Sequence, residues 1–167
     1  MSLSMYQASI PPLLRGLTIL TAVLEKGEAH GPALVDARLA PDMLTLVGQV
    51  QRASDTAKGC GARLAGIEPP GMPDTEKTFA DLYARIAKTA DFLRGLKREQ
   101  IDGTEAKVIT FKAGGTTVDL TGQTYLFNFV LPNFYFHVTT AYDILRHSGV
   151  PVGKLDYLGD WKTAGPA

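Results

Sequence analysis

Segments in which apolar residues recur every three to four positions alternate along the chain with short stretches rich in proline and glycine. Ile10, Leu13, Leu14, Leu17, Leu20, Thr21 and Leu24 make the first stripe, the mark of a helix with one face against a core. It predicts a helix running to about His30, with Pro11 and Pro12 in its first turn, where no intrahelical amide proton is needed. "HGPALVDARLAPDM" reads as a connection with a short helical turn around Leu34. A second stripe at Leu46, Val50, Ala53, Ala57, Cys60 and Leu64 predicts a helix that opens at Pro41 and stops near Gly66. "GIEPPGMPD" is a loop by its content, with Asp74 or Thr75 as the expected N-cap of a third helix. That helix carries Phe79, Leu82, Tyr83, Ile86, Ala90 and Leu93 and ends near Gly95.

The period then changes. Val108 to Lys112 and Thr116 to Leu120 are β-prone runs around Gly114-Gly115, a hairpin signal. A lone hairpin is marginal in water, so it is expected to lie against the helices. Leu126, Val130, Asn133, His137, Ala141 and Ile144 form the stripe of a fourth helix, closed by Gly149 and Pro151. The tail from Val152 holds Trp161 and is expected to pack across the surface before fraying at "TAGPA". Four stripes and one hairpin predict an all-α four-helix bundle with a small β-hairpin inserted before the last helix.

Composition narrows the partners. At 167 residues and 45% hydrophobic, residues 1–167 suit one globular domain with a sizeable core. Lys+Arg and Asp+Glu both number 17 and the basic residues form no run, so neither nucleic acid nor an anionic membrane is an expected partner. "IPPLLRGLTILTAVL" is too short and too interrupted by Pro11, Pro12 and Arg15 to span a bilayer. The single cysteine, Cys60, excludes an intrachain disulfide framework and points to a reducing compartment, the cytoplasm. On an apolar stripe, Cys60 is expected to be an inert small hydrophobe.

Candidate chemistry gathers on the fourth helix. Asn133 and His137 are four residues apart, neighbours on one helix face. From the second helix, Gln49 points at or near the same axis, with Asp42 seven residues before it. Pro132 removes a backbone hydrogen bond just before this site, freeing a carbonyl near Asn128. Two readings follow: a hydrogen-bonded polar cluster that fixes helix register, or a metal site built between facing helices. His30 and His147 fall at helix ends, where capping is the ordinary explanation. Phe134, Tyr135 and Phe136 face different directions, a pattern of core plus subunit interface. No phosphate loop, nucleophile elbow, zinc-protease helix or dinucleotide fingerprint is present.

"MYQASIPPLLRGL", "ARLAPDMLTLVGQVQRASDTAKG", "ARLAGIEPP" and "LPNFYFHVTTAYDILRHSGVPVGK" closely resemble an uncharacterised bacterial family, a domain of unknown function within the DinB/YfiT-like metalloenzyme superfamily. The resemblance covers Met5 to about Tyr157. It implies an up-down-down-up four-helix bundle, often a homodimer, in which one histidine of the second helix and two of the last hold a divalent metal. The corresponding positions here are Gln49, Asn133 and His137, so amides stand at two of three ligand sites. The favoured expectation is a small-molecule-binding protein with a degenerate metal site. The alternative is a divalent-metal-dependent (Zn, Ni or Mn) thiol transferase or hydrolase, with His137 as ligand or general base and Asn133, Gln49 and Asp42 around it.

Overall fold

The computed structural model describes residues 3–161; the expected fraying of "TAGPA" lies outside them. Helix α1, Met5–His30, opens with a capping box in which Ser4 and Gln7 satisfy each other's backbone amides. Pro11 and Pro12 therefore sit inside α1 rather than in its first turn, because the capping pair upstream starts the helix first. A 3₁₀ turn at Pro32–Asp36 follows, at the expected place around Leu34. Helix α2, Leu46–Ala65, opens at Thr45, whose hydroxyl accepts from the Gly48 amide at 3.2 Å. The expected start at Pro41 is thus displaced by a better cap, and Pro41 and Asp42 lie in an exposed turn. Gly66, at φ 73°, closes the helix in the left-handed conformation.

Helix α3, Phe79–Arg94, is capped by Thr78 with Asp81, not by Asp74 or Thr75. Asp74 is occupied by arginines instead. A single helical turn at Arg98–Ile101 leads to the hairpin of β1, Val108–Ala113, and β2, Thr116–Thr121. Both Gly114 and Gly115 have positive φ, which a two-residue primed turn requires. The hairpin buries Ile109 and Phe111, and the Phe111 ring packs 4.9 Å from Tyr125 and 4.7 Å from Phe129. Helix α4, Leu131–His147, continues from a π-helical segment, Tyr125–Val130. Pro132 explains that segment: it has no amide for the Asn128 carbonyl, and the neighbouring Leu131 amide reaches back five residues to Leu126. A short helix α5, Lys154–Leu158, which no stripe announces, lies against α1.

Side-chain pairings give the helix directions. Gly16 faces Phe134 and Gly27 faces Leu145, so α1 and α4 run parallel. Ser54 meets Thr89 and Gly61 faces Leu93 and Leu96, so α2 and α3 run parallel. Asn133 meets Thr56 and His137 meets Gln49, so α4 runs against α2. The result is the up-down-down-up bundle. Among the described residues α1 alone has the length and hydropathy of a bilayer-crossing helix. Its stripe of Ile10, Leu13, Leu17, Leu20 and Leu24 is instead buried in the bundle.

Candidate functional site

Three of the four polar residues singled out from the sequence meet along the seam between α2 and α4. Gln49, one turn into α2, is buried, and its amide nitrogen donates to the Leu44 carbonyl at 3.3 Å. That turns its oxygen toward α4, where it lies 2.8 Å from His137 Nδ1. The amide orientation sets the imidazole: Nδ1 carries the proton and donates, leaving the lone pair on Nε2. One turn earlier on α4 and seven residues later on α2, Asn133 Nδ2 donates to Thr56 Oγ1 at 2.8 Å, and that hydroxyl donates to the Arg52 carbonyl. The two bonds form successive rungs. They do not converge on one point.

Asn133 is only half-buried, because the core position next to it belongs to Phe134. The π-helical segment resets the face of the helix, and the buried series reads Leu126, Val130, Phe134, Val138, Ala141. Asp42 is not brought to the site; it stays in the exposed turn before α2.

Electrostatics complete the picture. Burial, with a smaller contribution from the Arg52 charge, lowers the pKa of His137 to about 4, so the ring is neutral at pH 7. A divalent cation would meet one imidazole nitrogen, two amides already committed to hydrogen bonds, and a nearby guanidinium that repels it. Among the described residues no group of three His, Cys, Asp or Glu side chains could hold a metal ion. This donor set does not fit a transition metal.

Sequence reading missed a second cluster beside this one. Arg85 on α3, its side chain 2% exposed, bridges to Asp55 of α2 at 2.8 Å, and to Asp74 at 3.0 Å and Glu76 at 2.9 Å in the connection before α3. Arg52 binds Asp55 and Asp74, and Lys58 binds Asp55. Burial acts to raise the Glu76 pKa, yet hydrogen bonds from Gln51 and Arg85 outweigh it and hold the carboxyl below its ordinary value. The available signal was spacing: Leu82, Arg85, Thr89 and Leu93 share a buried helical face.

With this geometry in hand, the comparisons with known proteins decide the family. Residues 5–158 match the family described as Domain of unknown function (DUF1993). The chain belongs to that family. The chain is also similar to a solved structure, the 1.83 Å crystal structure of a DinB family member protein from Shewanella denitrificans. It is 38% identical, covers 96% of this chain and 95% of its own, and superposes with a TM-score of 0.85. No match was found among curated proteins. In this DUF1993 chain the seam between α2 and α4 thus holds neutral amides and a neutral imidazole.

Proposed function

We propose that this DinB-like protein is a small-ligand-binding protein in which the polar seam of Gln49, Asn133 and His137 acts without a metal and fixes the register of α2 against α4. The observation that carries the reading is the 2.8 Å bond from His137 to Gln49, whose own amide is anchored on Leu44. A hydrogen-bonded imidazole of this kind is a satisfied buried group. We further propose a homodimer, on the strength of the exposed aromatic Phe136 beside His137. A cytoplasmic setting accords with the lone reduced Cys60.

Thermal melts test the metal-free reading. Wild type and His137→Ala are melted with chelator and with excess zinc, nickel or manganese. The expected result is a lower melting temperature for the variant, equal in chelator and in metal. Anything bound only by the folded state raises stability by RT ln(1 + [L]/Kd). A metal-dependent rise in wild type that vanishes in His137→Ala would overturn the reading in favour of a metal-dependent thiol transferase or hydrolase.

A further inference from the structure

A cleft of about 810 Å³ lies apart from the polar seam, between the outer side of α1, Tyr135 of α4 and the end of α5. This is the scale of small-molecule pockets. Pro11, Arg15, Thr18 and Ala22 line it at three-to-four spacing, one outward stripe of α1, and Leu158 and Gly159 close the far side. Neither Gln49 nor His137 lines it.

The charges around this cleft cancel. Asp156 is paired with Lys26 at 2.7 Å and also accepts from the Gly153 amide at 2.8 Å. Those two bonds hold its carboxyl below the usual carboxylate range, so it is an anion that already has its cation. Arg15 donates to the Leu158 carbonyl, which ties α5 to α1, and Asp160 has an interaction partner of its own. With Lys26 counted, two cations, Arg15 and Lys26, stand against two anions, Asp156 and Asp160. Thr18 commits its hydroxyl to the Leu14 carbonyl at 3.1 Å, and Gln7 is turned back onto the Ser4 amide. The other walls are Pro11, Pro12, Ile19, Ala22, Leu158 and the Tyr135 ring. Tyr135 is half-buried, and its hydroxyl donates to the carbonyl of Pro12, also a lining residue, at 3.4 Å. The usual O–H···O distance is about 2.7–2.8 Å, so this hydroxyl has more to gain from a ligand oxygen than the committed groups around it.

An ion entering such a cleft gives up hydration without meeting an uncommitted counter-charge. A carboxylate would have to draw Arg15 from the Leu158 carbonyl, and an ammonium would have to compete with Lys26 for Asp156. A neutral molecule incurs neither cost. We infer that this cleft binds a neutral small molecule with a hydrocarbon body and one uncharged oxygen, the body along Ile19 and Leu158 and the oxygen accepting from the Tyr135 hydroxyl. The inference rests on the small-ligand reading above and gives it a site and a ligand class.

Titration calorimetry at pH 7 with octanol, octylamine and octanoate as probes tests the site, since the three share one chain length and differ in charge. Octanol is expected to bind about tenfold more tightly than either ion. Ala22→Trp, on the exposed outer side of α1 and within the cleft lining, should weaken octanol about tenfold by filling the cleft, with the circular dichroism spectrum unchanged. Tyr135→Phe keeps the ring and removes the donor, and should weaken octanol about threefold. Octylamine or octanoate binding as tightly as octanol overturns the neutral assignment. Octanol binding untouched by Ala22→Trp or by Tyr135→Phe removes the cleft proposal; if it is lost instead in His137→Ala, the ligand belongs to the α2/α4 seam and the small-ligand reading stands. A dimer in sedimentation that Ala22→Trp dissociates would give the cleft to a second copy and remove the ligand. No binding by any probe also removes the cleft proposal, whereas the metal-free reading stands or falls on the melts alone.

Discussion

His137 is an acid-labile fastening between α2 and α4. Its pKa in the folded protein, about 4, lies below the ordinary value of about 6.5, so between those limits the unfolded chain binds the extra proton. The stabilisation is present above pH 6.5 and is lost as pH falls toward 4, by up to about 3 kcal/mol from this one group. Urea unfolding at pH 7.5 and pH 4.5 checks it: wild type should lose more stability between the two than His137→Gln, which has no proton to take up. Cys60 gives a second expectation at this scale. Complete burial pushes its thiol up to about 12, so a thiol reagent at pH 8 should label it only after denaturation. The sequence made the pairing of His137 with Gln49 legible, because both follow from helical spacing. It could not place Asn133 or Asp42 correctly. The first depends on the π-helical segment ahead of Pro132, the second on which of several nearby residues caps α2, and Thr45 makes the hydrogen bond that Pro41 cannot.

Between elements, close contacts and ion pairs do what apolar stripes alone cannot. At Gly16 an added Cβ would lie 2.3 Å from the Phe134 ring, so the glycine lets α1 and α4 approach. Gly16→Ala gains about 1 kcal/mol of helix propensity. It is nevertheless expected to lower stability by about 1–3 kcal/mol through overpacking, as measured by chemical denaturation. Arg85 ties the connection of residues 66–77 to both α2 and α3 through Asp55, Asp74 and Glu76. Its Nε is buried without a hydrogen-bond partner among the described residues, a residual cost of that arrangement. Removing the guanidinium leaves Glu76 with Gln51 as its hydrogen-bond donor, while Asp55 and Asp74 keep Arg52, so Arg85→Ala should cost about 1–3 kcal/mol. Hydrogen exchange should show the lost protection concentrated at the start of α3. A stability loss below 1 kcal/mol would mean that solvent already screens the cluster. This network was hard to read beforehand because two of its acids, Asp74 and Glu76, lie in a loop, where sequence period carries no information about which helix they reach.

At the scale of the molecule, the four stripes and the glycine pair at Gly114-Gly115 were sufficient to read the bundle and its hairpin, since each reports a local period that the packing preserves. Surfaces are less legible. Phe134, Tyr135 and Phe136 are consecutive, yet the first is fully buried, the second half-buried and the third 54% exposed. Phe136 packs edge-on to His137, and Leu44, 46% exposed, precedes the α2 cap whose helix carries Gln49. Two large apolar side chains therefore flank the same polar seam. A second copy related by a twofold axis would meet this patch with its own, which is the self-complementary geometry of a closed dimer. Covering it would also dry the rim of the His137–Gln49 bond and strengthen it. Sedimentation at micromolar concentration is expected to give a dimer for wild type and a monomer for Leu44→Asp/Phe136→Glu, with the helical circular dichroism spectrum retained. Because the interface would shield the seam and deepen the burial that depresses His137, the double variant should lose less stability than wild type between pH 7.5 and pH 4.5. A wild-type monomer, or a dimer indifferent to both charges, would remove this patch as the interface.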